Sequence, residues 1–392
     1  MDVLSTATRM ATGNMKAMWA LLLTVTAVTA VVPRAAAGQF KKPVYYKVGP
    51  TGALPWSVVS ADFNGDGNLD LAVSDLGVSQ VTVLLGDGKG AFHSGGHFSV
   101  PAASAMAVGD FNGDHIPDLA IIEWGGTGYS SLTIFLGKGD GTFHNSFTYQ
   151  VGIQATSVAV ADFNGDGRLD VAVANADYDA KDGNVMVFFG KGDGTFNKPA
   201  IYKLPAPYGI AAGDLNGDHH PDLVATGWND STVAILMNTG RGKFKHTATY
   251  SLGNTLEPNS VVIGNLVQGG HADLVVSDGS QGISVLLGNG DGTFGNPTFY
   301  STRGEGNGPQ ASVIADFNHD GKPDIATALL EKNSALFYGN GDGTFQLPVP
   351  IKLPYYAGGS SLVAGDFNRD GFPDLVFVFQ QVAKIAVLMN AQ

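Results

Sequence analysis

Residues 62–70, DFNGDGNLD, carry side-chain oxygens at the first, third, fifth and ninth positions of one short stretch. The residues that carry them are Asp62, Asn64, Asp66 and Asp70. Ca²⁺ takes roughly six to eight oxygen ligands from flexible loops and mixes carboxylates, amides and backbone carbonyls. The chain has no cysteine and the pattern fixes no histidine, so zinc and copper are disfavoured. The stretch therefore predicts a calcium loop whose seventh residue contributes its backbone carbonyl.

The same pattern returns along the chain at intervals of 48 to 52 residues. Good copies begin at Asp62, Asp110, Asp162, Asp214, Asp316 and Asp366. Between the fourth and fifth of these, residues 265–273 form an eroded copy. Asn265 and Asp273 remain there, but Val267 and Gly269 replace the third and fifth residues, so we predict that this copy is free of metal. About six structural Ca²⁺ sites are thus predicted, with the side-chain ligands Asp62, Asn64, Asp66, Asp70, Asp110, Asn112, Asp114, Asp118, Asp162, Asn164, Asp166, Asp170, Asp214, Asn216, Asp218, Asp222, Asp316, Asn318, Asp320, Asp324, Asp366, Asn368, Asp370 and Asp374.

An alternative interpretation is that these Asp and Asn residues only make Asx turns. Three carboxylates in one tight loop repel each other unless a cation lies between them, and the pattern fixes no Lys or Arg partner. Glycine at the sixth position allows a sharp turn, and His115 and His219 replace it in two copies. We expect these histidines to strain the turn without removing a ligand. An EF-hand is excluded because its twelfth residue would be Val73 rather than Glu.

Each copy belongs to a unit that contains four short predicted β-strands. An apolar segment such as SVVSA precedes the loop, and β-branched runs such as DLAVSD and VTVLLG follow it. A Gly-rich turn such as GKGDGTF and one more extended stretch complete the unit. No window has the period of an amphipathic helix. Seven such units predict an all-β fold, a seven-bladed β-propeller with four strands per blade, over residues 38–392.

The two ends of the chain predict how the ring closes. The seventh unit ends at KIAVLMNAQ, after its third strand. The segment GQFKKPVYYKVG at residues 38–49 resembles GTFNKPAIYKLP at residues 194–205, which is a fourth strand with its preceding turn. We therefore expect residues 42–48 to complete the last blade, which would remove the exposed edges of an open array.

Residues 1–37 have the layout of a secretory signal peptide. The uncharged apolar run at 17–32 follows Lys16, and three alanines at 35–37 form a small-residue cleavage signal. The run is short for a membrane span, although an uncleaved anchor is the alternative. We expect a protein that is secreted to the extracellular space or the periplasm, monomeric, and without a stable membrane span after cleavage. The net charge of −13 makes nucleic acid an improbable partner.

Aromatic residues concentrate on the face that the propeller topology places opposite the calcium loops. The calcium loops and the Gly-rich turns share one face, so the remaining connections share the other. The aromatic residues predicted there are Trp56, Trp124, Tyr129, Tyr178, Tyr208, Trp228, Tyr355 and Tyr356. Exposed aromatic rings beside Asn, Asp and Ser suit stacking on sugar rings or anchoring a protein partner. The alternative is that these rings only cover the ends of the blades or plug the central channel.

The recurring Asp-x-Asn-x-Asp-x-x-x-Asp loop, in register with the Gly-rich turn, resembles the FG-GAP / VCBS repeats over residues 38–392. These repeats build the ligand-binding propeller of integrin α-subunits, and some lectins that resemble the family are seven-bladed and bind sugars. The resemblance implies structural calcium on the face away from the ligand. The integrin Gly-Ala-Pro element is absent from this sequence, so no integrin function is implied.

Three functional hypotheses follow. The favoured one is a secreted, calcium-stabilised binding propeller that recognises carbohydrate or an extracellular protein. The second is a propeller-based polysaccharide-active enzyme, a lyase or hydrolase, and the third is a structural adhesion module. Catalysis has little support, because the sequence contains no cysteine and no Gly-x-Ser-x-Gly turn. A clustered acid–base pair with Arg or Lys on the aromatic face would favour the enzyme.

Overall fold

The computed structural model describes residues 39–126, 128–177, 183–253, 257–279, 281–302, 307–331, 333–353 and 359–391. The predicted signal peptide, residues 1–37, lies outside these ranges. Within them, no helix is long and apolar enough to cross a membrane. Their one helical element is a short 3₁₀ turn at Gln380–Val382.

The described residues form antiparallel strands in seven four-stranded sheets. In chain order the strands are β1 (Val44–Lys47), β2 (Pro55–Ala61), β3 (Asp70–Asp75), β4 (Gln80–Gly86), β5 (Phe92–Ser99), β6 (Ala103–Gly109), β7 (Asp118–Glu123), β8 (Tyr129–Gly137), β9 (Phe143–Ile153), β10 (Ala155–Ala161), β11 (Asp170–Asn175), β12 (Asn184–Phe188), β13 (Ala200–Lys203), β14 (Pro207–Gly213), β15 (Asp222–Gly227), β16 (Thr232–Asn238), β17 (Phe244–Ser251), β18 (Pro258–Gly264), β19 (Asp273–Asp278), β20 (Gly282–Leu286), β21 (Thr298–Ser301), β22 (Pro309–Ala315), β23 (Asp324–Leu329), β24 (Ser334–Phe337), β25 (Val349–Ile351), β26 (Gly359–Gly365), β27 (Asp374–Phe379) and β28 (Lys384–Leu388).

Each sheet is one blade, and the predicted all-β, seven-bladed fold is confirmed. Blades 1 to 6 take four consecutive strands each, from β2–β5 to β22–β25, and blade 7 consists of β26–β28 and β1. The second strand of every blade is buried along its whole length, or nearly so, because neighbouring strands and neighbouring blades cover it on all sides. That burial accounts for the continuous apolar runs of the sequence.

Ring closure occurs as predicted, through the N-terminal strand. β1 pairs antiparallel with β28, from Val44 opposite Val387 to Lys47 opposite Lys384. Phe40 bridges to Asn390, just as Phe196 bridges to Gly190 in the turn before the last strand of blade 3. The N-terminal segment therefore supplies the seventh blade with both its last strand and the aromatic residue of its Gly-rich turn.

The seams between blades are filled by the residue at the second loop position. Phe63 is 1% exposed and packs edge-on against Phe143 of the next blade, with ring centroids 5.4 Å apart. Phe163 packs in the same way against Phe244, also at 5.4 Å. Burying one such side chain stabilises the fold by about 2–3 kcal/mol. The remaining buried residues at this position are Phe111, Leu215, Leu266, Phe317 and Phe367.

A tyrosine of the outer strand fixes each of several seams further. The Tyr149 hydroxyl accepts a hydrogen bond from the backbone N–H of Phe196 in the next blade, at 2.9 Å. Tyr46 of β1 accepts the equivalent bond from the Phe92 N–H of blade 1, at 3.2 Å. The seam between blades 7 and 1 thus uses the same contact as the seam between blades 2 and 3.

The strand register separates two faces of the ring. Ala61 pairs with Asp70 at one end of blade 1, where Gly86 also pairs with Phe92. Asp75 pairs with Gln80 at the other end. The first end, with the predicted calcium loops and the Gly-rich turns, is called the loop face. The second end, with the connections between the second and third strands and between blades, is called the aromatic face.

Candidate functional site

The tip of the first loop is held by its own side chains. Asp62 accepts the backbone N–H of Gly65 on Oδ1 at 2.8 Å and that of Gly67 on Oδ2 at 2.7 Å. Asn64 Oδ1 accepts the N–H of Asp66 at 3.0 Å. Asp66, exposed at the tip, accepts the N–H of the seventh residue at 2.8 Å. The first, third and fifth positions therefore lie together at a solvent-open turn that presents oxygens.

The other good copies repeat this geometry, including the two with histidine at the sixth position. The N–H of His115 donates to Asp110 Oδ2, and that of His219 donates to Asp214 Oδ2, both at 2.8 Å. Their φ angles of 66° and 65° lie in the left-handed region, where glycine is favoured. The histidines thus keep the turn at a steric cost and leave every predicted ligand side chain in place.

The ninth position differs from the other three because its side chain is buried. Asp70 is 0% exposed, and its Oδ2 accepts the N–H of Phe63 at 2.9 Å while its Oδ1 accepts the N–H of Gly86 at 2.8 Å. One carboxylate therefore joins the start of the loop, the start of β3 and the end of β4. We call this arrangement the carboxylate clamp.

The carboxylate clamp is present in all seven blades. In the eroded fifth copy, Asp273 accepts the N–H groups of Leu266 and Gly288, both at 2.8 Å. The loop pattern alone predicts only metal binding for the ninth residue and misses this second role. The retention of Asp273 in a copy that has lost its other acidic residues was the available signal. The remaining clamp residues are Asp118, Asp170, Asp222, Asp324 and Asp374.

Burial gives most of the clamp carboxylates an unusual electrostatic state. Burial raises the pKa of Asp118 to about 6, and the charges of Asp114 and Asp110 in the same loop raise it further, against the effect of its two N–H donors. Burial likewise raises the pKa of Asp324 to about 7. The same cause raises the pKa of three more clamp residues to about 6, namely Asp170, Asp222 and Asp374. Burial is therefore the main reason that these clamp carboxylates hold a proton more tightly, and the loop charges add to it.

The loop residues match the ligands of a hard cation in chemical type. Positions one, three, five and nine offer only carboxylate and amide oxygens, several of which accept a single hydrogen bond and keep a lone pair. In loops one to four, no Lys or Arg of the described residues lies within ion-pair distance of these carboxylates. In the same described ranges, no group of three or more His, Asp or Glu side chains is placed so as to hold a metal ion. The fit to calcium thus rests on the donor chemistry.

The eroded fifth loop is held by protein contacts instead. The N–H of Gly270 donates to the carbonyl of Val267 at 2.8 Å, which closes the turn. Val267 forms a bridge to Asp342 in the Gly-rich turn of blade 6, and Asn265 Nδ2 donates to the carbonyl of Gly270 at 3.2 Å. These contacts hold a loop whose third and fifth residues offer no side-chain oxygens. That this loop binds no metal remains a prediction.

On the opposite side of the ring, the structure brings some of the predicted aromatic residues together. Tyr208 and Trp228 stack, with ring centroids 6.2 Å apart and planes 25° from parallel. Trp124 is 43% exposed and Tyr129 is 64% exposed. Trp56, at the start of β2, is half-buried. Tyr178, Tyr355 and Tyr356 lie outside the described residues.

A small cavity is lined mainly by residues of blade 4. It measures about 80 Å³, and Pro207 and Gly227, the residues before Tyr208 and Trp228, both line it. Asp230 and His246 add polar groups to its wall. The cavity is much smaller than the roughly 300–1,000 Å³ of a typical ligand pocket, so the candidate site on this face consists of the aromatic rings rather than the cavity.

Comparison with known proteins places this geometry in context. The mouse (Mus musculus) phosphatidylinositol-glycan-specific phospholipase D is 28% identical over 160 residues, which is 32% of this chain. The chain spans only about a fifth of that relative, 19% of its length. A lectin of Agrocybe aegerita that recognises non-reducing terminal N-acetylglucosamine has a similar fold, with a TM-score of 0.55 and 18% identity over 86% of each chain. BBS1N, in its complex with ARL6DN, has a TM-score of 0.63 and 12% identity over 91% of this chain and 98% of its own.

The family comparison matches most of the ring. The FG-GAP-like repeat matches six segments, at residues 62–121, 110–173, 170–225, 214–276, 268–327 and 328–377. Together they reach from the first predicted calcium loop to the second strand of blade 7. Because these matches cover well over half of its length, the chain belongs to the FG-GAP-like repeat family.

Proposed function

We propose that this protein is a secreted, calcium-stabilised propeller that binds carbohydrate through its aromatic face. The observation that carries the proposal is the stacked pair Tyr208–Trp228, which lies on the same face as the exposed rings of Trp124 and Tyr129. Large aromatic side chains left in solvent are unfavourable unless a partner covers them, and flat rings suit the apolar faces of sugars.

Carbohydrate is favoured over protein for two reasons. The aromatic residues stand beside hydrogen-bonding side chains, such as Asp230 next to the cavity, which suit sugar hydroxyl groups. The fold is also shared with a lectin that recognises terminal N-acetylglucosamine. The phospholipase name of the curated relative gives no activity to this chain, since the match covers 19% of that protein.

Calcium is proposed as the structural ion of the loop face. In the first loop Asp62, Asn64, Asp66 and Asp70 would hold it, and the equivalent residues would do so in the five other good copies. The bound ion supplies positive charge to carboxylates that otherwise repel one another. Support comes from the all-oxygen donor set and from clamp carboxylates whose pKa is raised by burial and then by loop charges.

The location outside the cell is proposed from the sequence alone. The apolar run at 17–32 and the alanines at 35–37 are typical of a signal peptide. Export would bring the loops into contact with the millimolar calcium of extracellular fluids, a concentration at which even weak oxygen sites fill.

Calcium removal is expected to lower the melting temperature of the purified protein by at least 10 °C. An ion that binds only the native state stabilises it by about 2.7 kcal/mol per site when its concentration is 100 times the dissociation constant. Several such sites act together here. Differential scanning calorimetry in CaCl₂ and in EDTA measures the effect, with MgCl₂ as the control. A melting temperature that is equal in CaCl₂ and EDTA would contradict calcium binding.

Replacing Trp124 or Trp228 by alanine is expected to weaken glycan binding roughly two- to tenfold, because each variant loses a stacking platform worth about 0.5–1.5 kcal/mol. Phe299→Ala is the matched control. Phe299 is 45% exposed, close to the 43% of Trp124, but lies on the outer strand β21. A glycan array followed by titration calorimetry with the best glycan gives the measurement. Binding that survives both Trp changes would contradict the aromatic-face assignment, and binding of proteins but not glycans would replace carbohydrate by a protein ligand.

A further inference from the structure

The fourth position of the loops divides the loop face into two parts. Loops one to four carry glycine there, namely Gly65, Gly113, Gly165 and Gly217. Loops five, six and seven carry Gln268, His319 and Arg369 instead. Because loops six and seven otherwise match loops one to four, we ask what the side chains at this position contact that glycine cannot.

Each of these three side chains contacts the loop of the next blade. Gln268 Nε2 donates to the carbonyl of Gly321 in loop six at 2.8 Å. The ring of His319 packs on that of Phe372 in loop seven, with centroids 4.8 Å apart. The Arg369 guanidinium donates to the carbonyl of Gly67 in loop one. These contacts fall on the sixth or seventh position of the next loop, beside the predicted backbone ligand.

Two of these contacts are made at a cost in backbone energy. His319 and Arg369 have φ angles of 57° and 60°, in the left-handed region that favours glycine. A residue with a Cβ is sterically strained there. Loops one to four avoid this cost with glycine, so the contacts of the two strained side chains must offset it.

Arg369 has a further property, which is a fixed charge over the turn of another blade's acidic loop. A Cβ built on Gly67 would lie 3.1 Å from Arg369 Nη2, so the guanidinium lies over the turn of loop one. The seam that it crosses lies between blades 7 and 1. The chain crosses this seam from β1 to β2, whereas β26–β28 are held beside β1 by strand pairing without a direct chain connection.

We propose that Arg369 is a built-in counter-ion for the first calcium loop, which holds the seam between blades 7 and 1 when calcium is absent and weakens the first calcium site when calcium is present. The second half of this statement depends on the proposed calcium binding. In the calcium-free protein the guanidinium offsets the charges of loop one. In the calcium-bound protein it repels the ion, because two cations then lie on one acidic loop.

The test is the Arg369→Gln variant, which removes the charge and keeps a long side chain that can donate to Gly67. In EDTA its melting temperature is expected to fall by a few degrees relative to the native sequence. In equilibrium dialysis with ⁴⁵Ca²⁺, one site is expected to bind roughly three to ten times more tightly, the range for an exposed charge next to a divalent ion.

Arg241→Gln is the matched control. Arg241 is an exposed arginine of the loop face, in the turn between β16 and β17 of blade 4 and outside the predicted calcium loops. That change should leave the seam and the first site unaltered. In an Asp66→Asn background, the effect of Arg369→Gln on calcium binding should shrink sharply, because the carboxylate nearest to the charge is gone.

The outcomes separate this inference from the proposed function. A native protein that binds no ⁴⁵Ca²⁺ overturns calcium binding, and with it the calcium half of this inference. A native protein that binds calcium while Arg369→Gln changes neither the affinity nor the melting temperature in EDTA overturns this inference alone. A weaker first site in the variant also overturns it, because the arginine would then organise the loop rather than compete with the ion.

Discussion

Replacing Asp170 by alanine is expected to lower the free energy of unfolding by roughly 3 kcal/mol or more, even without calcium. The change removes the carboxylate clamp of blade 3 and leaves the N–H groups of Phe163 and Gly190 without their acceptor. A buried donor that loses its partner costs about 1–3 kcal/mol, and the clamp satisfies two. Urea unfolding of metal-free protein measures the loss as a lower midpoint at an unchanged slope.

Asp273→Ala is the informative control, because blade 5 has the carboxylate clamp but lacks the ligand side chains of the third and fifth loop positions. We expect both variants to lose a similar amount of stability in EDTA. Only Asp170→Ala should also lose part of the stabilisation that calcium adds. If Asp273→Ala unfolds at the same urea concentration as the native sequence, the clamp does not stabilise the blade, and the ninth residue is only a ligand.

Metal-free protein is expected to become less stable as the pH rises from about 4 to 7. The pKa of four clamp carboxylates is about 6 in the folded state and that of Asp324 is about 7, against an ordinary value of 3.8. A pKa raised by folding means that the folded state binds the proton more tightly. This tighter proton binding stabilises the folded state fully below pH 3.8, and the stabilisation is lost as the pH rises through the folded pKa. A pKa shift of two units corresponds to about 2.7 kcal/mol of unfolding free energy for each carboxyl group.

Urea midpoints between pH 4 and 8, measured on protein freed of metal with a chelating resin, test this dependence. Saturating CaCl₂ should reverse it, because a bound cation favours the ionised carboxylates. The Asp324→Asn variant has no titratable group at this position. Its metal-free urea midpoint should therefore change less steeply with pH over the same range. A metal-free midpoint that rises steadily from pH 4 to 7 would contradict the raised pKa values.

The fold could be predicted from the sequence because its information is local and repeated. Phe63 and its equivalents recur at one position of each unit, and the YYK stretch before Val48 matches IYK in blade 3. Seven weak signals in register therefore specify the number of blades, the buried seam and the closing strand.

Much of the site chemistry could not be predicted, because it depends on contacts with backbone groups or with distant segments. The partners of Asp70 are the backbone N–H groups of Phe63 and Gly86. Because almost every residue type has a backbone N–H, the sequence does not indicate which of them a side chain will contact. Arg369 contacts Gly67 only because the ring closes. The stacking of Tyr208 on Trp228 depends on ring orientation at two strand ends.

The pairing of β1 with β28 has a consequence for how the molecule is made. β1 is among the first parts of the propeller to be synthesised, and its partner is among the last. Throughout synthesis, its backbone N–H and C=O groups have no strand beside them, and the outer edge of the ring cannot be completed. The contact also has almost the largest sequence separation that the chain allows, which slows the final step of folding. The N–H of Ala391 donates to the carbonyl of Gln39 at 2.8 Å, so the first and last described residues finish side by side. Closure of this ring therefore joins the first described strand of the chain to the last.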